Sequence, residues 1–390
     1  MISITGANGT VDIMCDARDE EAISHLYRVI SVGATAGSVI KVMPDYHEGK
    51  GTIVGFTQRF NPDDIRVCPN FIGVDIGCRV SSFLLGDIDG IDFDGLDKWI
   101  RANIPLGPGG YLPEGLDKRQ MSLVTKDEKE SIERCVRRLD EDGADGYSMK
   151  VPAMAQLCSL GGGNHFIALN RGKDGVWLSV HSGSRNLGLV VCNVYQKHAI
   201  ETCKDRCPAE MRYLDGGTEY LKHYLECVEG CQVFSAVNHR LMADGIARWI
   251  LNKKEFRPLK SITTLHNYID LKHMILRKGA ISAQAGEEVL IPFNMRDGIA
   301  RCVGKGNADY NWSAPHGAGR LLSRADAKAL LDIAGAKREM AEAGVFTTSL
   351  EYAIDEAAGA YKDTEMIKNA IKPTVDVIET MAEIYNIKGK

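Results

Sequence analysis

Nowhere does this sequence hold an uninterrupted apolar run long enough to span a bilayer. The opening "MISITGANGTVDIMCDARDEE" lacks a basic leader followed by an apolar block, so export is not expected and the cytoplasm is the default location. Positive charge is not in excess either, because the formal net charge is -5. That disfavours a protein coated in basic residues, but a local basic track would still serve a nucleic-acid enzyme. "NKKEFRPLK" at 252–260 and "DLKHMILRKG" at 270–279 could contribute to one, although most charge runs are solvated faces. The GxxxxGK(S/T) arrangement of a Walker loop and a KxDG-type lysine nucleophile are both missing. So are internal repeats, low-complexity segments and the regular βαβ rhythm of a doubly wound fold.

Glycine is plentiful, 40 residues against 12 prolines, and it gathers in short islands rather than in a linker. The islands are "PDYHEGKGTIVG" (44–55), "GVDIGCR" (73–79), "GPGGYLPEG" (107–115), "GGGNHF" (161–166), "HSGSRNLG" (181–188) and "PHGAGR" (315–320). Most flank β-prone runs such as "SVIKVM", "RVSSFLL", "HFIAL" and "VWLSV", so they read as loops carried on a sheet. Helices punctuate the strands. Residues 19–31 are amphipathic, and 127–142 place Ile132, Val136 and Leu139 on one stripe. Ser323 is positioned to cap a helix with Asp326 three residues on, and "TEMIKNAI" is a further helix ending near Pro373. "EIYNIKG" at the end is read as a strand. The expectation is an α+β fold, one large domain over 1–390 around twisted, mostly antiparallel sheets.

Eleven cysteines without an export signal argue against a disulfide framework. Cys203/Cys207 and Cys227/Cys231 have i,i+4 spacing and could meet across a helical hairpin as a zinc site; the plainer reading is small buried side chains. A more informative set spans the islands. Asp75 and Cys78 lie three residues apart, with Gly73 and Gly77 permitting a sharp bend at the end of a strand. His165 stands beside Asn164, His181 follows a β-like run, and His266 precedes Asn267. A carboxylate, a thiolate and three imidazoles suffice for two divalent ions if the thiolate bridges them. Each histidine alone is more often a satisfied structural residue; the joint pattern raises the case for metal without deciding it. Backbone N–H groups of "GGGNH" and "HSGSR" could cradle phosphate, with Arg185 as a guanidinium fork. His316, in the glycine-thinned "PHGAGR", is either a packed turn residue or a nucleophile for an α-phosphate.

Together "PDYHEGKG", "GVDIGC", "GGGNHF", "HSGSR", "TLHN", "PHGAGR" and the terminal "YNIKG" resemble the RtcB family of RNA ligases in order and context across nearly the whole chain. The resemblance implies that family's α+β fold and the joining of RNA 3′-phosphate or 2′,3′-cyclic phosphate ends to 5′-hydroxyl ends. It further implies GTP and two divalent ions, typically Mn2+, and a monomer that an archease-like activator assists in some relatives. Carried over residue by residue, Asp75, Cys78 and His165 would hold one ion. Cys78, His181 and His266 would hold the other. Asn164 would contact nucleotide phosphate, His316 would become guanylylated, and Lys388, with Tyr361 as a weaker candidate, would lie in the guanine pocket. The chain departs from the pattern at Ala168, where a guanine-reading glutamate is common, and at "PFNMRDG" (292–298), Arg79, Asn186 and Ala358. These departures imply a divergent branch acting in tRNA or other RNA repair, with strictness for GTP less secure than metal binding. The rivals from other classes are a metal-dependent phosphoesterase, which needs no histidine adduct, and a non-catalytic RNA-end binder, which would not need His316.

Overall fold

The β-branched and apolar runs beside the glycine islands pair into two principal sheets in the computed structural model, which describes residues 1–143, 149 and 151–390. The larger has seven strands in the order Ser261–Leu265, Arg79–Gly86, Gly175–Ser182, Phe166–Gly172, Val375–Lys388, Gly298–Gly304, Glu288–Asn294, all antiparallel to their neighbours. The other has six: Ile2–Thr5, Thr10–Ile13, Val39–His47, Val54–Arg59, Ile275–Lys278 and Asn267–Asp270. There Thr10–Ile13 runs parallel to Val39–His47, and the remaining pairs are antiparallel. The expected α+β class with mostly antiparallel sheets is what the chain adopts.

The local signals decide most of the shorter helices. Asp19 caps Glu20–Val29 by accepting from the Ala22 amide, and Ser323 caps Arg324–Leu330 by accepting from Asp326. Lys126–Glu141 begins with a reciprocal box between Thr125 and Glu128, a device worth about 1 kcal/mol. Its buried stripe is Ile132, Cys135 and Leu139, with Val136 only half-buried, one residue round from the expected stripe. Thr364–Ala370 ends just before the last strand, which starts at Val375, earlier than "EIYNIKG" indicates.

Two helices carry more of the architecture than the sequence reading assigned them, Arg185–Thr202 and the 33-residue Glu219–Leu251. The longer one lies under the seven-stranded sheet and fastens the loops at one end of it. Its Ser235 donates to the Gly77 carbonyl at 2.7 Å, Asn238 to the Ser159 carbonyl at 2.9 Å, and His239 bridges Ser81 and the Ser182 carbonyl. Cys227 and Cys231 on this helix pack against Cys135, not against Cys203 and Cys207, and every cysteine is a free thiol. Among the described residues these four thiols do not converge on one point; Cys203, Cys227 and Cys231 are buried and Cys207 is half-buried.

Candidate metal centre and nucleotide cavity

Strand direction explains why distant islands meet. In the seven-stranded sheet, Cys78 and His165 immediately precede the strands that begin at Arg79 and Phe166. His181 lies at the end of Gly175–Ser182, and His266 follows Ser261–Leu265. Neighbours alternate in direction, so all four positions fall at the same end of the sheet. The register makes this explicit, with Val80 and Phe166 both opposite His181 and the His266 amide donating to the Cys78 carbonyl at 3.0 Å. Asp75 sits in the bend between the short helix Pro69–Ile72 and the strand from Arg79. The bend therefore precedes a strand, where the sequence reading put it at a strand's end. Gly73 (φ 87°) and Gly77 (φ 76°) supply the left-handed backbone it needs.

The donor atoms converge. Cys78 Sγ lies 3.5 Å from His165 Nε2 and 3.4 Å from His181 Nε2. Asp75 Oδ2 is 3.0 Å from His165 Nε2, and the Nε2 atoms of His181 and His266 are 3.2 Å apart. Cys78, His165 and His181 each place a ligand atom within 4.8 Å of the others. Such a buried, soft-and-hard donor set fits a divalent ion, and Asp75 and His266 extend it at either end. The Leu160 carbonyl accepts from His165 Nδ1 at 3.0 Å, which turns Nε2 toward the cluster.

Electrostatics keep this site ready for a cation. Burial, then the neighbouring imidazoles, hold His181 and His266 well below the usual histidine value, so both are neutral ligands. Burial opposes ionisation of Asp75, yet His165, the Cys78 hydrogen bond and Arg185 outweigh it and hold the carboxyl at about 2. Burial and the Asp75 charge push the Cys78 thiol well above its usual value. Thiolate formation is then the step in which protons compete with metal. Metal affinity should climb as pH rises through the neutral range with about one proton released per bridging thiol, and fall toward acid. Calorimetry in buffers of different ionisation enthalpy checks this; an affinity indifferent to pH would contradict it.

Not every glycine serves a phosphate. A Cβ on Gly183 would lie 1.8 Å from Asp75 Oδ1, so this glycine admits the carboxylate. Arg185 Nη2 donates to the Gly107 and Pro108 carbonyls at 2.9 and 3.2 Å, and Nε to Ser159 at 3.2 Å, so these contacts occupy part of its guanidinium. Gly319 (φ 70°) passes against the Asp45 backbone, where a Cβ would meet the Asp45 carbonyl oxygen at 2.2 Å. That approach is what docks "PHGAGR" onto the strand Val39–His47.

His316 is thereby placed beside the Cys/His cluster, its ring centroid 5.2 Å from that of His266. Asp45, fully buried, takes three donors on one oxygen: His316 Nδ1 at 2.8 Å, the His316 amide at 3.1 Å and the Gly317 amide at 3.3 Å. With its Nδ1 proton donated, His316 keeps the lone pair on Nε2. Asp45 is the residue the sequence reading missed; "PDYHEGKG" was quoted there without giving its aspartate a role. A cavity of about 610 Å3 opens in front of this ring, within the range of small-molecule sites. Asn164, Tyr361 and Lys388 line it, as do His181 and His316, whereas Asp75, Cys78, His165 and His266 do not line it. Arg320, Arg324 and the segment Pro292–Met295 complete the wall. Tyr361 donates to the buried Glu356, which also draws in Arg320, Arg324 and Lys388. Burial lowers the Lys388 ammonium and Glu356 partly restores it.

Known proteins resemble this chain over almost its full length. A family model described as "tRNA-splicing ligase RtcB" matches residues 28–389. The RNA-splicing ligase RtcB of Escherichia coli strain K12 is 30% identical, with 90% of each chain covered. The tRNA-splicing ligase RtcB of Nanoarchaeum equitans is 27% identical over 84% of this chain and 82% of its own. That of Thermococcus kodakarensis is 26% identical, covering 85% and 83%.

Proposed function

The chain belongs to the RtcB family, and from that premise we propose that it is an RNA ligase joining 3′-phosphate or 2′,3′-cyclic phosphate ends to 5′-hydroxyl ends, with GTP as co-substrate. The observation that carries the reading is His316. Its ring is held by a buried carboxylate, its Nε2 lone pair is free, and it stands in a cavity beside a buried Cys/His cluster. Asp75, Cys78 and His165 would hold one divalent ion, and Cys78, His181 and His266 a second, Mn2+ being the expected occupant. Two such ions would neutralise phosphate oxygens and the charge that builds on them in transfer.

The residues account for the rest. His316 Nε2 attacks the α-phosphorus of GTP; an N–P bond forms, the bond to the β-phosphate oxygen breaks, and pyrophosphate leaves. Asp45 keeps the Nδ1 proton and offsets the positive charge on the ring. Asn164, Arg320 and Arg324 line the cavity as donors for phosphate, and Lys388 and Tyr361 lie on the wall assigned to the base. Where the end is a 2′,3′-cyclic phosphate, water first adds to phosphorus and breaks the bond to O2′; the guanylate then passes to the RNA 3′-phosphate, His316 leaves, and the 5′-hydroxyl displaces GMP to give a 3′,5′-phosphodiester. A terminal phosphate has a poor leaving group, and the guanylate supplies a good one. An archease-like activator and a monomeric, cytoplasmic enzyme complete the proposal.

Joining of defined RNA ends by the Mn2+-loaded protein and GTP tests the reading, and hydrolysis of the 3′-phosphate without joining would favour a phosphoesterase instead. Asp45→Asn should slow attachment of guanylate by about 100-fold, because the amide no longer enforces the Nδ1–H tautomer. The pH profile of adduct formation should shift with it. A uniform loss with an unchanged profile would make Asp45 a structural residue only.

A further inference from the structure

One face of the last strand carries polar groups for which the scheme above has no use. A register shift between Glu383 and Tyr385 interrupts the alternation of Val375–Lys388. Tyr385 and Ile387 then enter the main core, while Glu383, Asn386 and Lys388 all line the cavity in front of His316. Across the ladder they stand opposite Asn170, Ala168 and Phe166 respectively.

Asn386 is only 1% exposed. Its Nδ2 donates to one oxygen of Glu383 at 2.6 Å, and Asn170 Nδ2 donates to the other. Once ionised, the Glu383 carboxylate only accepts, so in that form it pins the Asn386 amide with its nitrogen toward Glu383. Its Oδ1 is left buried and without a hydrogen-bond partner. A buried acceptor at a cavity wall calls for a donor from outside the chain. Lys388, two residues on, offers the opposite chemistry: a buried ammonium 4.9 Å from the Phe166 ring centroid and 3.6 Å from Glu356. Ala168, opposite Asn386, adds no bulk that would fill the space beside it.

An acceptor and a donor side by side match one purine edge. Guanine presents N1–H and the 2-amino group as donors and O6 as an acceptor. Adenine sets a lone pair at N1 against Oδ1 and an amino group against the ammonium, so both contacts are wrong. We propose that Asn386, oriented by Glu383 and Asn170, is the residue by which this chain selects guanine over adenine, its Oδ1 accepting from the N1–H and 2-amino edge while Lys388 donates to O6. This deepens the nucleotide chemistry proposed for the cavity and rests on that reading.

The test is equilibrium binding of GMP, IMP and AMP to the metal-loaded protein by calorimetry, on the alkaline side of the Glu383 value, which burial raises to about 8. The intact protein should prefer GMP to AMP, with IMP between them because it lacks the 2-amino donor. Asn386→Leu keeps the volume and removes the acceptor, and should cut the GMP-to-AMP preference by about tenfold or more. Glu383→Gln, which releases the amide to turn, should cut it by a smaller factor. A wild-type protein indifferent to the base, or an Asn386→Leu protein with the wild-type preference, would overturn the assignment. Should Asn386→Leu fail to fold, the wild-type series and Glu383→Gln decide. Failure of the ligase reading looks different: base preference intact, but no label passing from GTP to His316.

Discussion

His316→Ala should abolish transfer of α-label from GTP to the protein, with RNA joining falling by about 10,000-fold or more. No neighbour can take over. The Nε2 atoms of His181 and His266 face each other 3.2 Å apart, inside the cluster that would hold the ions. His47 lines the same cavity, and burial keeps it neutral with a value near 4, but its Nδ1 meets a backbone carbonyl where His316 has a carboxylate. It therefore lacks the partner that stabilises a ring acquiring positive charge. In the intact protein the label should be acid-labile and alkali-stable, as a phosphoramidate is, and in the variant it should be absent. The substitution should leave metal content unchanged, because His316 is not among the five proposed ligands and its Nδ1 is taken by Asp45. An RNA whose 3′-end already carries the guanylate should still be joined by the variant, since the remaining steps do not use the nucleophile. Label retained on the His316→Ala protein would sink the proposed role outright.

The site was more legible in the sequence than the fold that carries it, for physical reasons. The proposed metal ligands and His316 sit at or beside strand ends, where glycine accompanies them, and so they announce themselves in short motifs. Asp45 did not, because Pro44 makes "PDYHEG" look like a turn. Val39–His47 nonetheless continues as a strand through Pro44, with a register shift between Val42 and His47 that absorbs it. Glu219–Leu251 was illegible for the opposite reason. It is buried on most of its circumference and so shows no amphipathic stripe. Its interior glycines are contact points: a Cβ on Gly230 would meet Cys135 at 2.6 Å, and one on Gly245 would meet Trp99 at 3.0 Å. The carbonyl partners of Arg185 lie 77 and 78 residues away, which no local pattern reveals. The role of Glu383 and Asn386 depends on a bulge that shifts strand phase, and "EIYNIK" by itself puts Glu383 and Asn386 on opposite faces.

Cys78→Ala should remove both ions where loss of any other ligand removes one, and the geometry says why. Cys78 is the ligand that reaches both His165 and His181, at 3.5 and 3.4 Å, while Asp75 contacts only the His165 side and His266 only the His181 side. Metal content measured after dialysis should fall from two ions toward none in Cys78→Ala, with affinity down more than about 100-fold, and joining should be lost with it. Asp75→Asn and His266→Ala should each retain one ion. The fold should survive all three changes, because the strands and the long helix that fix the loops are held by Ser235, Asn238 and His239 rather than by the ligands. Cys78→Ser separates charge from shape: a hydroxyl fits the space, but it is far less acidic than a thiol and a poorer ligand for a soft ion, so it should rescue little of the binding. Two ions held by Cys78→Ala at wild-type affinity would show that the sulfur is a buried thiol beside the site and not the bridge across it.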